Sequence, residues 1–125
     1  MARTQLKIAT CNLYNLNEPG LRMYRDANGW EQQEYDKKID WTAMQMLSIQ
    51  ADVFGFQELW HQASLENVFS TSGLSDEYTL LTPPNQNGGN IVCAAAVKSD
   101  VLVGEPEWIV NFPENIFLDS KGDDP

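Results

Sequence analysis

Apolar and polar side chains follow one another along the first half of the chain in a pattern that predicts a strand, a helix and a second strand. Residues 5–13 alternate roughly between the two classes, which indicates a strand. Residues 52–57 are almost continuously apolar, as in a strand covered on both faces. Between them, residues 35–50 carry apolar side chains on one face at helical spacing, namely Tyr35, Ile39, Ala43, Met46 and Leu47. Elements of these lengths predict a right-handed crossover between two parallel strands.

Two further segments are predicted from their breaker and capping residues. Residues 14–34 contain Asn, Pro and Gly without a regular period and predict a long loop. Its aromatic and basic side chains either contact a ligand or pin the loop to the surface. After the second strand, Ser64 is typical of an N-cap and predicts a helix of about eight to ten residues. Gly73 followed by Leu74 predicts the end of that helix.

The remainder of the chain predicts more strands. Residues 78–82, 90–98 and a segment within 101–112 have strand-like apolar runs, and Asn-Gly-Gly at 87–89 predicts a hairpin connection between the first two. The tail 113–125 is acidic and has no clear period. These strands supply one sheet with an apolar face that is expected to lack a covering layer, formed by Val53, Phe54, Phe56, Val92 and Val97. Open strand edges add to an expected tendency of the chain to associate.

Length, charge and cysteines narrow the classes of function. A chain of 125 residues holds at most one modest domain. Its 18 acidic and 8 basic residues leave a net charge of -10, which argues against tight binding to a DNA backbone by this chain alone. Cys11 and Cys93 lie in apolar runs and are expected to be buried free thiols, with a single disulfide as the alternative. Since no window resembles a signal core or a membrane span, the chain is expected to be soluble and cytoplasmic.

Candidate chemistry lies where the two parallel strands end. The first strand is predicted to end near Asn12 and the second at Gln57 and Glu58. Because ligands of open α/β sheets bind at the carboxyl edge of the strands, Asn12 and Glu58 are expected to face one site. An amide oxygen and a carboxylate suit Mg²⁺ or Mn²⁺, which prefer oxygen ligands and keep several waters. The alternative for these positions is a turn-forming Asn and a solvated Glu.

The same residues resemble a known family. Thr10-Cys11-Asn12 at the end of a strand, then a helix, then a strand ending in Gln57-Glu58, is similar to the start of the endonuclease/exonuclease/phosphatase superfamily. This superfamily includes pancreatic deoxyribonuclease, abasic-site endonucleases, inositol polyphosphate phosphatases and neutral sphingomyelinases. The resemblance implies an α/β fold in which a two-sheet β-sandwich is flanked by helices, a deoxyribonuclease-like four-layer α/β/β/α arrangement. It also implies that Asn12 and Glu58 are metal-site residues that serve catalysis.

The resemblance implies that part of the family's domain is missing. It covers residues 5 to about 70 well and 78–112 loosely, and members of the family run to roughly twice this length. Their catalytic His, their Gly-Asp-x-Asn motif and their Ser-Asp-His motif have no counterpart here, since the Gly-Asp at the end of the chain lacks the Asn. Residues 1–125 are therefore expected to be the N-terminal half of such a domain, truncated, without its C-terminal half and inactive alone.

As a full-length protein, the chain is expected to be a metal-dependent phosphoesterase, either a nuclease or a phosphatase. In such an enzyme the cation stabilises charge on the phosphoryl group, and a His backed by a carboxylate activates water. Lys37 and Lys38 are candidate phosphate contacts or part of a solvated face. Weaker candidates for contacts with the phosphoester substrate, a nucleic acid or a small phosphorylated molecule, are Tyr14, Arg22, Arg25 and His61.

Two other classes of function remain open. The chain is alternatively a non-catalytic binding module on the same scaffold, or an unrelated small α/β domain that binds a nucleotide. Against a nucleotide-binding domain, the segment CNLYNLNEPG after the first strand contains neither G-x-G-x-x-G nor a Walker-type Lys.

Overall fold

The computed structural model describes residues 5–24 and 28–109, which form one mixed sheet with two helices. Along the chain the elements are strand β1 (Ile8–Leu16), helix α1 (Gln32–Ile49), strand β2 (Val53–His61), helix α2 (Gln62–Ser72), strand β3 (Tyr78–Leu81) and strand β4 (Asn87–Lys98). The strand order is β1-β2-β4-β3, with β1 parallel to β2 and β4 antiparallel to both of its neighbours. The predicted α/β class and the parallel crossover are therefore confirmed. The second sheet of the predicted sandwich is not present among these residues.

Helix α1 begins three residues earlier than its apolar pattern predicts. The carboxylate of Glu34 accepts the backbone N–H of Glu31 at 3.1 Å, which satisfies a donor that would otherwise be free at the helix start. The predicted apolar face is buried, except that Leu47 is 42% exposed. Leu47 lies about 120° around the helix from Tyr35, at the margin of the buried stripe. Trp41, off the stripe, is exposed.

Helix α2 begins at Gln62, so the prediction of Ser64 as its N-cap is wrong. The cap is His61, whose imidazole Nδ1 accepts the backbone N–H of Ala63 at 3.1 Å. Ser64 lies inside the helix and is fully buried. His61 is the capping residue because β2 ends at His61 and α2 begins at the next residue, so no loop separates the strand from the helix.

Both helices end in residues with left-handed backbone conformations. Gln50 follows α1 with φ 44°, and Gly73 follows α2 with φ 77°. The backbone N–H of Leu74 donates to the carbonyl of Phe69 at 2.9 Å, which completes the cap after Gly73. The predicted stop at Gly73 and Leu74 is therefore confirmed.

The hydrophobic core lies on one side of the sheet, beneath the two helices. Phe54 and Phe56 of β2 are fully buried there, and Val92 of β4 packs against the same core. The prediction that these three residues belong to an uncovered face is therefore wrong. Val53 and Val97, which are register partners of each other, lie on the opposite side of the sheet and are half-buried. The alternation of side chains along a strand separates the two sets.

The segment Asn-Gly-Gly at 87–89 is the start of β4, so its prediction as a hairpin turn is wrong. Strands β3 and β4 do pair antiparallel, from Tyr78 opposite Lys98 to Leu81 opposite Ala95. Residues 82–86 form the connection, and the first part of β4 continues past β3 to pair with β2. Residues 101–109 contain no strand. The rest of the predicted strand, 110–112, and the tail 113–125 lie outside the described residues.

Within residues 5–24 and 28–109, no helix is long and apolar enough to cross a bilayer.

Both cysteines are free, as expected, but neither is fully buried. Cys11 is half-buried on the helix side of β1, and Cys93 is exposed because its side chain lies on the side of β4 that faces away from the helices. The apolar runs around them do not distinguish the two sides of the sheet.

We expect iodoacetamide to alkylate Cys93 well before Cys11. Burial raises the pKa of the Cys11 thiol, an effect that the charge of Lys38 opposes, so Cys11 has less of the reactive thiolate at neutral pH. Peptide mapping after a short exposure measures both rates in one sample, and the urea-unfolded chain is the control in which the rates converge. Faster labelling of Cys11 in the folded chain would contradict this placement.

Candidate functional site at the ends of the parallel strands

The backbone brings the two predicted metal-site residues to the same edge of the sheet. Asn12 of β1 is the register partner of Gln57 of β2, and Glu58 is the next residue. Neighbouring strands lie about 4.8 Å apart and successive Cα atoms 3.8 Å apart, so the Cα atoms of Asn12 and Glu58 are within about 9 Å of each other. Both strands continue beyond their predicted ends, β1 to Leu16 and β2 to His61.

The strands are irregular at this edge. Between the pairs Asn12–Gln57 and Leu16–Leu59, β1 contains three residues and β2 contains Glu58 alone. On its other side, β2 is the strand with the extra residue, because Gln57 and Glu58 together lie opposite a single residue of β4. Bulges of this kind re-aim side chains and are frequent beside active sites.

Three non-glycine residues at this edge have left-handed backbone conformations. They are Tyr14 (φ 52°), Asn15 (φ 55°) and Glu58 (φ 61°). Asn tolerates this region, but Tyr and Glu are disfavoured there by about 1–2 kcal/mol each. Such conformations persist where the surrounding structure imposes them, and they cluster at functional sites.

Hydrogen bonds orient the polar side chains of both strand ends. The Oδ1 atom of Asn12 accepts the backbone N–H of Tyr14 at 2.8 Å and keeps a second lone pair. The Nε2 atom of Gln57 donates to the Oγ1 atom of Thr10 at 2.9 Å. Thr10 and Gln57 therefore link the two motifs across the strands, a contact that the sequence pattern does not reveal.

The loop after β1 is pinned to the sheet by its aromatic residues. The Nε1 atom of Trp30 donates to the backbone carbonyl of Asn15 at 2.7 Å. The Oδ1 atom of Asn15 accepts the Tyr24 hydroxyl at 3.0 Å and the Trp60 Nε1 at 3.1 Å. Tyr24 also meets Trp60 edge to face, with ring centroids 5.4 Å apart. The described part of this loop therefore supports the interpretation that its aromatic side chains pin it to the surface. The sequence predicts a loop over 14–34, whereas β1 continues to Leu16 and α1 begins at Gln32.

Lys38 of α1, which the sequence offers as a candidate phosphate contact or as part of a solvated face, lies beside Tyr14 of β1. Its ammonium nitrogen lies 4.9 Å from the centroid of the Tyr14 ring and 5.1 Å from that of Trp30. The side chain is half-buried rather than fully solvated, and burial lowers its pKa while the charge of Glu58 opposes that shift. Its position three residues after the buried Tyr35 is the signal that could have placed it beside the core.

The weaker site predictions fall in different places. Tyr14 is exposed at the edge itself, and Arg22 is an exposed residue of the loop. His61 lies at the far end of β2, where its Nδ1 atom caps α2. Arg25 lies outside the described residues.

The donor set at this edge fits a hard cation better than a soft one. No group of three or more His, Cys, Asp or Glu side chains suited to a metal ion occurs within 5–24 and 28–109. Glu58 with the amide oxygen of Asn12 supplies one anionic and one neutral oxygen. Mg²⁺ is commonly held by one or two carboxylates with several waters, so these donors fit it.

Comparisons of this chain with protein-family models, with curated proteins and with solved structures found no match.

Proposed function

We propose that this chain carries the cation site of a divalent-metal-dependent phosphoester hydrolase of the endonuclease/exonuclease/phosphatase type, with Asn12 and Glu58 as oxygen ligands. The observation that carries the proposal is the break in the regular pairing of β1 with β2 after Asn12 and Gln57, where residues with left-handed backbone conformations lie. There Glu58 adopts a left-handed conformation one residue after the register partner of Asn12. A merely solvated Glu does not require this conformation, whereas the bond from the Tyr14 N–H to Asn12 is also the contact of a turn-forming Asn.

Different residues of the chain would supply the charge, the orientation and the support of the proposed site. Glu58 supplies the negative charge, and the Tyr14 N–H holds the amide of Asn12 in a fixed orientation. The bond between Gln57 and Thr10 ties the two strand ends together. A divalent cation bound there would polarise a phosphoryl oxygen and stabilise the charge that develops on the leaving oxygen.

The proposal includes a general base from elsewhere. His61 is the only histidine in the sequence, and the nitrogen that faces α2 already accepts a backbone hydrogen bond. We therefore propose that a further segment, corresponding to the family's C-terminal half, supplies the base and completes the two-sheet sandwich. The substrate class is a phosphoester, either a nucleic acid or a small phosphorylated molecule.

Replacing Glu58 by Gln is expected to weaken Mn²⁺ binding to the full 125-residue chain at least tenfold. The change removes the anionic ligand and keeps the shape of the side chain, so the variant is expected to fold with at most a small loss of stability. Calorimetric titration with Mn²⁺ measures the affinity. In parallel, Mn²⁺ should broaden the NMR signals of the Asn12 side-chain amide in the native chain.

The matched control is Glu105→Gln, which makes the same charge change at an exposed position beyond β4. Its Mn²⁺ affinity should equal that of the native chain. Equal affinities of the Glu58 and Glu105 variants would overturn the proposed site. Mn²⁺ binding at Glu58 without phosphodiester hydrolysis, even when the second half is supplied, would favour the non-catalytic binding module.

A further inference from the structure

The ammonium group of Lys38 is held in a defined place at the end of β1. The faces of Tyr14 and Trp30 lie 4.9 Å and 5.1 Å from it, within the roughly 6 Å at which an ammonium interacts with an aromatic ring. The two rings come from different segments, a strand end and the loop before α1. Trp30 is itself fixed by its bond to the Asn15 carbonyl. A long lysine side chain is thereby kept from moving freely in solvent.

Glu58 of β2 lies opposite Leu13, Tyr14 and Asn15 of β1, and the ammonium of Lys38 faces the Tyr14 ring at 4.9 Å. Among the influences on Lys38, burial lowers its pKa most, and the charge of Glu58 is the larger of the two that raise it. Tyr14 lies two residues after Asn12, whose register partner precedes Glu58. The aromatic rings therefore hold a positive charge beside the strand ends that contain the proposed cation ligands.

We propose that Lys38 is the built-in counter-ion of Glu58 and thereby limits how tightly this site binds a divalent cation. A cation approaching Glu58 meets the fixed ammonium as a like charge. In water, charges of +1 and +2 that are about 8 Å apart repel enough to weaken binding about fivefold, which sets the scale of the expected effect. The effect on cation binding rests on the proposed function, whereas the attraction between Lys38 and Glu58 exists without any metal.

The attraction is tested by a double-mutant cycle in the full chain, in buffer that contains EDTA. The variants are Lys38→Met, which keeps the length of the stem and removes the charge, Glu58→Gln, and the two combined. Urea unfolding is expected to show that Glu58→Gln lowers the midpoint more in the native background than in the Lys38→Met background. The coupling should amount to about two- to fivefold in the unfolding equilibrium constant and should shrink in high salt.

Two control variants separate charge from packing. Lys37→Met removes a charge from the exposed neighbouring position, and it should leave the effect of Glu58→Gln unchanged. Lys38→Arg keeps the charge and should preserve the coupling. If Lys38 only packs against Tyr14 and Trp30, the Lys38→Met variant loses stability but shows no salt-dependent coupling to Glu58.

The consequence for cation binding is measured by Mn²⁺ titration of the same variants without EDTA. Lys38→Met is expected to bind Mn²⁺ about fivefold more tightly than the native chain, and Lys37→Met less than twofold more tightly. Absence of coupling in the cycle overturns the proposal, as does equal Mn²⁺ affinity of the native chain and Lys38→Met. If no variant binds Mn²⁺, the proposed function fails, and the cycle alone decides whether Lys38 is the counter-ion of Glu58.

Discussion

Replacing Phe54 by Ala is expected to remove about 3–5 kcal/mol from the free energy of unfolding. Phe54 is fully buried at the centre of an aromatic cluster. Its ring centroid lies 5.7 Å from those of Phe56 and Tyr78 and 6.4 Å from that of Phe69. Truncation therefore leaves a cavity among large rings that cannot all move inward. Since a domain of this size has a net stability of about 5–15 kcal/mol, the variant should unfold at a much lower urea concentration.

Trp41→Ala is the matched control, because it removes a larger aromatic side chain from an exposed position on α1. Trp41 is 61% exposed, so its loss should change the free energy of unfolding by no more than about 0.5 kcal/mol. Urea titrations followed by circular dichroism measure both variants. If the two variants lose similar stability, the described packing of the core is contradicted, since Phe54 would then contribute no more buried contacts than the exposed Trp41.

Replacing Gly88 by Ala is expected to cost about 2–4 kcal/mol. Gly88 has φ 101°, a conformation that side-chain-bearing residues rarely adopt. An added Cβ would lie 2.9 Å from the Leu21 side chain, 3.2 Å from the Asn17 Oδ1 atom and 3.4 Å from the His61 ring. Leu21 can move aside, but Asn17 is fully buried, so backbone strain and crowding add.

Gly89→Ala provides the control one residue further along β4. Its Cβ would meet only the Asn87 Oδ1 atom, at 3.9 Å, which is an ordinary contact. We expect its stability to remain within about 0.5 kcal/mol of the native value by the same urea titration. If the turn prediction for 87–89 were correct instead, substitution at either glycine would disturb the hairpin, and the two variants would behave alike.

The crossover at the heart of the fold could be predicted from the sequence because it depends on local periodicity. Helical spacing selected the buried face of α1, and the near-continuous apolar run located β2. Gly73 marked the end of α2 because a left-handed cap depends on the residue itself. The positions of Asn12 and Glu58 at one sheet edge followed from the parallel order of the strands.

Features that depend on contacts between distant segments were decided only by the tertiary structure. An apolar run does not state which of its alternate side chains the helices cover, so it does not separate Phe54 and Phe56, which are covered, from Val53, which lies on the other side of the sheet. The sequence around Gly88 predicts a turn, but because Asn87 pairs with His61 at the end of β2, this segment is the start of strand β4.

The candidate site shows the same division. Its two candidate oxygen donors, Asn12 and Glu58, lie where the regular pairing of β1 and β2 is interrupted, and the parallel order of the strands places them close together. The position of the Lys38 ammonium does not follow from strand order, because it depends on packing of helix α1 against the rings of Tyr14 and Trp30. Local periodicity therefore determined which elements form in the crossover, whereas tertiary pairing and packing determined where the strands end and which charges lie close together.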